Sequence, residues 1–183
     1  MAYRNGTYIA FHAEGNPDPT ASDIKYYRTV KMWHANSNIE FKFVNSHEKV
    51  ASVRSTSQAE TIKRSLRARL DNSKNMVLII GSKTKFDTDF VPYEIAYAVD
   101  TCGIPIIATY PDYTIIRKPE QLQSLWPEAL RVRIANGTAS VLHIPFNRNA
   151  INDAIGQFNH NKRPLGGGLG IYNDEAYRSF GII

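Results

Sequence analysis

The centre of the chain alternates between apolar runs and one helical pattern. Residues 76–80 and 104–110 are short, rich in Ile and Val, and bounded by turn residues, which is typical of strands buried on both faces. Between them, apolar side chains recur at the spacing of a single helix face. They are Val91, Ile95, Ala98, Val99 and Cys102. The pattern predicts a βαβ unit with parallel strands and a right-handed crossover.

The ends of this central helix are marked by residues with clear backbone preferences. Thr88 or Asp89 is predicted to cap its start, and Pro92 fits only its first turn because proline has no N–H to donate. Gly103 followed by Pro105 predicts where the helix ends.

The rest of the pattern repeats strand and helix along the chain. Further strands are predicted at residues 7–11, 41–44 and 139–144, and further helices at 22–35, 57–70, 120–126 and 148–158. This alternation predicts an α/β fold, a doubly wound flavodoxin-like sheet of five parallel strands with helices on both faces. The expected strand order is 2-1-3-4-5, which places the switch point between strands one and three.

From residue 159 onward this periodicity stops. The segment NHNKRPLGGGLG is typical of a flexible linker, whereas IYNDEAYRSFGII regains Ile, Tyr and Phe. We therefore expect one domain over residues 1–158, followed by a Gly-rich linker and an apolar C-terminal tail over residues 159–183. The apolar residues of the tail favour docking on its own domain over docking on a partner.

Composition narrows the classes of protein that fit. The 183 residues suffice for one domain with a sizeable core, and no apolar run reaches the length of a bilayer span. The N-terminus has no signal-peptide pattern, and the single cysteine cannot form an internal disulfide, so we expect a cytoplasmic protein without membrane association. The net charge of +5 favours anionic ligands. The basic face of the helix at 57–70 lacks interleaved aromatic residues, so no nucleic-acid partner is expected.

Several familiar motifs are absent or misplaced. The glycines of GGGLG follow no predicted strand and precede no Lys-Ser/Thr pair, which argues against a phosphate-binding loop. The five histidines show no metal-ligand spacing, so no metal site is expected, and His143 in a strand is interpreted as a hydrogen-bonded core or edge histidine. No G-x-S-x-G nucleophile elbow occurs.

One carboxylate, Glu94, stands near the start of the central helix and beside its apolar face. Ligands of open α/β sheets bind at the carboxyl ends of the strands, where this helix begins. The alternative is a solvated glutamate that the helix dipole favours in a first turn. The other residues expected at this edge to bind substrate are Phe11, His12 and Ala13 after strand one, Ser46 and His47 after strand two, and Phe90 and Tyr93 beside Glu94.

A lone carboxylate without a metal or a nucleophile triad suits the cleavage of an N-glycosidic bond. The transition state carries positive charge on the ribose, which a carboxylate can stabilise. Nicotinamide leaves NAD+ as a neutral molecule, so no general acid is needed, and aromatic neighbours can stack on a leaving ring. In this interpretation NAD+ is the substrate and no cofactor is required.

Several segments carry a resemblance to a known family. A strand ending in FH is followed by SLRARLDNSKNMVLIIGSKT, FVPYEIAYAV and GIPIIATYPD. Together with the opening MAYRNGTY and the segment VLHIP, they resemble the TIR-like domain family of the bacterial Thoeris antiphage defence protein ThsB, over roughly residues 1–158.

This resemblance implies a TIR fold that cleaves NAD+, releases nicotinamide and makes a signal derived from ADP-ribose, often a cyclic isomer. The signal activates a separate, ThsA-like effector protein. The catalytic glutamate of the family falls on Glu94, and the aromatic residue four positions earlier, typically Trp, is Phe90 here. Phe keeps the apolar contact but lacks the indole N–H donor. Many TIR chains carry assembly domains, so self-association through the tail stays open.

Two other classes of function remain as alternatives. A nucleoside deoxyribosyltransferase-like enzyme also uses a glutamate on a related fold, and it would exchange bases on nucleosides. A non-catalytic TIR interaction module would neither cleave NAD+ nor exchange bases. A phospho-receiver is disfavoured, because the ends of its first and third strands would need acidic residues. Here those positions hold Phe11-His12 and Gly81-Ser82.

Overall fold

The structure, a computed structural model, describes residues 4–13, 22–36 and 56–183. The strands are β1 (Gly6–Ala10), β2 (Ser73–Ile79), β3 (Ile106–Tyr110), β4 (Val141–Pro145) and β5 (Gly170–Ile171). The α-helices are α1 (Ile24–Ala35), α2 (Thr56–Asp71), α3 (Phe90–Ala96), α4 (Glu128–Ala135), α5 (Arg148–Gln157) and α6 (Asp174–Ser179). Within these ranges, no helix combines the length and the apolar character that crossing a membrane requires.

The five strands form one parallel sheet in the order β1-β2-β3-β4-β5. The predicted α/β fold of flavodoxin-like type is confirmed, and so is the central βαβ unit, in which α3 connects the paired strands β2 and β3. The predicted strand at residues 41–44 lies outside the described residues. The fifth strand of the observed sheet, β5, comes from the C-terminal tail and pairs with β4 at the edge opposite β1.

Alternate residues of each strand enter two separate cores, as expected for a sheet covered on both faces. On one face Tyr8, Met76 and Leu78 pack with side chains of α2, α3 and α4. On the other face Ile9 and Val77 pack with side chains of α1, α5 and α6. The carboxyl ends of β1, β2 and β3 therefore meet at one edge between the two layers.

Two local features differ from the predicted helices. The helix that begins at Phe90 changes after Ala96 into a π-helical turn, Tyr97–Thr101, in which the Cys102 N–H donates to Tyr97 O. The residues between 126 and 139 form α4, which the sequence pattern did not predict. Leu130 is the only fully buried residue of α4, so its apolar periodicity is too weak to be recognised.

The C-terminal tail packs on the sheet and on α5, which is the self-docking that its apolar residues predict. Tyr172, Tyr177 and Phe180 belong to the core beneath α1 and α5. The Tyr177 hydroxyl donates to Ile116 O, and His143 contacts Gly168 O at 2.9 Å. The segment before β5 is therefore held by side chains of the sheet.

Candidate active site

Glu94 lies in the middle of α3 and faces the sheet. Its side chain is 1% exposed, which excludes the alternative of a solvated first-turn glutamate. The hydroxyl of Tyr8, a fully buried residue of β1, donates a hydrogen bond to Oε1 of Glu94. This contact joins the helix to a strand 86 residues away in sequence. The carboxyl group is thus fixed from both the helix and the sheet.

The buried position changes the acidity of this group. The pKa of Glu94 is raised to about 8, chiefly by burial. The negative charge of Asp87 also contributes to this rise, and the hydrogen bond from Tyr8 opposes it. Burial disfavours the charged form because the surroundings cannot replace the solvation lost from water. A carboxyl group with this pKa is protonated in the resting protein near neutral pH. A nearby positive charge would favour its ionisation.

Asp87 determines where α3 begins. One carboxylate oxygen, Oδ1, accepts hydrogen bonds from the backbone N–H groups of Asp89, Phe90 and Val91, at 2.9, 3.1 and 3.3 Å. Asp89 occupies the N-cap position, as predicted, but its side chain makes no capping hydrogen bond. Asp87 reaches forward from the preceding turn and satisfies the N–H groups that the first turn leaves without helical partners.

The second oxygen of Asp87 fixes a histidine from another strand end. Oδ2 lies 2.9 Å from Nδ1 of His12, which follows β1. The two side chains are 10% and 17% exposed. One carboxylate thus connects the loop after β1 to the start of the helix that carries Glu94. The prediction that His12 lies at the switch-point edge agrees with this position.

A cleft of about 160 Å³ opens at the same edge of the sheet. Its lining residues come from the loops after β1, β2 and β3 and from the start of α1: His12, Ser22, Asp23, Lys25, Tyr26, Gly81, Ser82, Lys83 and Asp112. Thr84 donates a hydrogen bond to Asp23 at 2.6 Å and accepts one from the Gly81 N–H at 2.8 Å. A Cβ atom on Gly81 would lie 2.1 Å from Oδ1 of Asp23, so a larger residue at this position would displace the Asp23 carboxylate.

The other predicted site residues lie in different surroundings. Phe11 is buried and stacks on Tyr27 with ring centroids 4.6 Å apart, and Ala13 is exposed. Phe90 packs against the core on the Glu94 face. Tyr93 accepts a hydrogen bond from Arg67 of α2 at 3.0 Å. None of these four lines the cleft, and Ser46 and His47 lie outside the described residues. Their roles in binding substrate stay predictions.

Two residues of the site escaped prediction from the sequence. Tyr8 has the alternation of a core strand residue, and nothing local reveals that its hydroxyl meets Glu94. Asp87 offered a weak signal, because an Asp two or three residues before a helix is a common source of turn and cap hydrogen bonds. Its pairing with His12 depends on the sheet and is invisible in the sequence.

Within residues 4–13, 22–36 and 56–183, no three His, Cys, Asp or Glu residues are grouped so that they could hold a metal ion. His143 is fully buried, and its two ring nitrogens contact the Tyr110 hydroxyl at 2.7 Å and Gly168 O at 2.9 Å. The interpretation of His143 as a hydrogen-bonded core histidine is confirmed.

Comparison with known families agrees with this fold. The family described as Thoeris protein ThsB, TIR-like domain, matches residues 8–115. This range begins at Tyr8 within β1 and includes β2, α3 and β3, and therefore His12, Asp87 and Glu94. The chain belongs to the family of the Thoeris protein ThsB, TIR-like domain, and is a TIR protein of Thoeris antiphage defence.

Proposed function

We propose that this protein cleaves NAD+ at the bond between nicotinamide and ribose, with Glu94 as the catalytic residue. The observation that carries the proposal is a buried carboxyl group, hydrogen-bonded to Tyr8, on the helix that follows β2 of a TIR-family sheet. The product is an ADP-ribose-derived signal, an isomer of cyclic ADP-ribose, which a separate ThsA-like effector reads. The enzyme acts in the cytoplasm, where NAD+ is available.

Cleavage of this bond is favoured by a negative charge beside the ribose in the transition state. The pyridinium ring of NAD+ is cationic, and positive charge passes to the ribose as neutral nicotinamide leaves. A positive charge close to Glu94 opposes the effect of burial and favours the ionised carboxylate. The carboxylate then stabilises the transition state in surroundings of low polarity, where its effect is strongest.

The cleft offers contacts for the rest of such a substrate. Lys25 and Lys83 supply positive charge for phosphate groups, and Ser22 and Ser82 supply hydroxyl groups. Asp23 and Asp112 line the same cleft, so its charge is mixed. NAD+ carries both an anionic diphosphate and a cationic ring, and a mixed lining suits it. Because Glu94 is 1% exposed, side chains around it must move for the ribose to reach it.

This proposal assigns different roles to two parts of the chain. Residues 1–158 form the NAD-processing domain, and residues 159–183 form a tail that covers β4. The match to the family ends at residue 115, before α4, β4 and the tail. We assign these later elements to support of the sheet and not to chemistry.

The experiment is incubation of the full chain with NAD+, with and without lysate of phage-infected cells, followed by mass spectrometry. We expect release of nicotinamide and a product with the mass of ADP-ribose, or of cyclic ADP-ribose, which is lighter than ADP-ribose by one water. A parallel incubation with deoxynucleosides and free bases tests the deoxyribosyltransferase alternative. Base exchange without NAD+ cleavage would replace our proposal, and inactivity towards all substrates in both conditions would favour a non-catalytic module.

A further inference from the structure

We propose that His12 and Asp87 form a catalytic dyad, in which His12 accepts the proton of the hydroxyl group that captures the ribose after nicotinamide leaves. This inference rests on the proposed NAD+ cleavage and assigns the second half of that reaction. Cleavage alone needs no acid or base, since nicotinamide departs neutral. Capture by a hydroxyl group does release a proton, and Glu94 is not among the cleft residues.

The geometry fixes the tautomer of the histidine. An ionised carboxylate can only accept hydrogen bonds, so the hydrogen between Oδ2 of Asp87 and Nδ1 of His12 belongs to the imidazole. In the neutral ring, Nε2 is then unprotonated and able to accept a proton. Because Nδ1 and Nε2 point to different sides of the ring, binding Nδ1 leaves Nε2 for another contact. Among the described residues, His12 makes no other side-chain hydrogen bond, and its ring lines the cleft.

Asp87 is the positioning residue of this dyad, and it is itself rigidly held. Its Oδ1 accepts three backbone N–H bonds from the start of α3. These bonds orient the carboxylate so that Oδ2 faces the loop after β1. A carboxylate that orients an imidazole and fixes its tautomer is the arrangement by which histidine acts as a general base.

The proposed step balances in atoms and charge. The bond between C1′ and the pyridinium nitrogen breaks, and its electron pair leaves with nicotinamide. The oxygen of the incoming hydroxyl forms a new bond to C1′, and its proton passes to Nε2 of His12 and then to solvent. The hydroxyl belongs to water when the product is ADP-ribose and to the substrate's own ribose when the product is cyclic.

The test separates base catalysis from binding by supplying a nucleophile that carries no proton. His12→Gln removes the base. Asp87→Asn keeps an oxygen that can accept from the α3 N–H groups, but its amide N–H donates to Nδ1 of His12. The ring then carries its proton on Nε2, which can no longer act as a base. A ribosyl cation that is not captured recombines with nicotinamide to NAD+, so slow capture lowers the net yield of both products. We expect both variants to accumulate nicotinamide and captured product about 10²–10⁴-fold more slowly than the parent protein. Azide should restore release in both variants and give a ribosyl azide product, because azide needs no deprotonation.

Matched controls change equivalent residues away from the dyad. His160→Gln and Asp89→Asn alter an exposed histidine and an exposed aspartate at the same helix start, and both should keep parental rates with and without azide. Slow variants that azide does not restore would make His12 a binding residue and overturn the proposal, as would unchanged rates in both variants. If the parent protein releases no nicotinamide, the proposed function fails first. That result differs from a failure of the dyad, in which the parent is active.

Discussion

Two buried tyrosine hydroxyl groups on the same face of the sheet make opposite kinds of polar contact. Tyr8 of β1 bonds to Glu94, a group that carries a charge when ionised. Tyr110 of β3 accepts a bond from the Trp126 indole N–H at 2.8 Å and contacts His143 at 2.7 Å. His143 in turn contacts Gly168 O. Both tyrosines belong to one continuous hydrophobic core.

The difference lies in what burial does to the titratable group at each site. Burial lowers the pKa of His143 to about 4, so the ring is neutral at neutral pH and both nitrogens keep partners. Burial raises the pKa of Glu94 to about 8, which places its ionisation within reach of ordinary pH and of a cationic ligand. A neutral chain of hydrogen bonds stabilises a fold, whereas a carboxyl group held near its ionisation point is suited to chemistry.

The strongest test of this contrast is Glu94→Gln, which keeps the shape and removes the charge. We expect NAD+ cleavage to fall about 10²–10³-fold or more, because stabilisation of the cationic transition state is lost. The folded state of the variant, in contrast, should be more stable than that of the parent protein. The unfolded chain loses this proton near 4.5 and the folded chain near 8, so parental stability falls as pH rises between these values.

Between these two pKa values the parent protein loses roughly 1.4 kcal/mol of folding stability for each pH unit. Glu94→Gln does not lose this stability, because its side chain does not ionise. Thermal melts at pH 5 and pH 8 should show the advantage of Glu94→Gln growing with pH, while Glu175→Gln, an exposed control, shows no such trend. Equal turnover in the variant and the parent would remove Glu94 from the mechanism.

The second test concerns the tail, which the His143 chain holds in place. Tyr177→Ala deletes a fully buried ring whose hydroxyl bonds to both the N–H and the carbonyl of Ile116. We expect a loss of about 3–5 kcal/mol in the free energy of unfolding. Urea unfolding measures it, with Arg178→Ala as an exposed control. Turnover per folded molecule should stay at the parental value, and a selective loss of turnover would give the tail a role in the reaction.

The third test weakens the Tyr8 contact without removing the carboxyl group. Tyr8→Phe removes the hydrogen bond that lowers the pKa of Glu94, so this pKa should rise further. We expect turnover near pH 7 to fall about tenfold, the effect of one hydrogen bond to a charged group. The pH at which kcat/KM rises should move upward. Tyr113→Phe provides the comparison, and a pH profile that matches the parent would show that Tyr8 does not tune Glu94.

The smallest expected effect on turnover is at His143, which takes no part in the proposed reaction. The unfolded histidine gains a proton near 6.5 and the folded one near 4, so its contribution to stability is lost as pH falls through this range. In His143→Gln that part of the pH dependence should disappear, and the melting temperature should decline less steeply between these pH values. His160→Gln, at an exposed position, should decline as steeply as the parent. Identical slopes in all three proteins would mean that His143 is not held neutral.

The parts of the fold that could be predicted are those in which local pattern and tertiary packing agree. Residues 76–80 and 104–110 are predominantly apolar because β2 and β3 are covered on both faces. The α3 pattern predicted Val91, Ile95 and Ala98 as inward residues, and all three are fully buried. The same pattern placed Glu94 beside that face, which was enough to select it as the candidate catalytic residue.

The parts that could not be predicted depend on contacts between distant residues. The start of β5 is a glycine, and glycines disfavour strands in isolation. The chain takes this position because a Cβ at Gly170 would lie 2.6 Å from Leu165 O and 2.7 Å from Val141 O, so only glycine lets it approach β4. The Tyr8–Glu94 bond and the His12–Asp87 pair likewise exist only after the sheet has formed.

The short strand β5 has a consequence for how the protein behaves at high concentration. A parallel sheet that ended at β4 would expose a row of N–H and C=O groups over five residues, from Val141 to Pro145, with which another chain could pair. In β5, two residues cover part of that row and offer only a very short edge of their own. The tail thus protects the sheet against edge-to-edge aggregation, and it does so with a segment whose glycines make it a poor template for intermolecular strands.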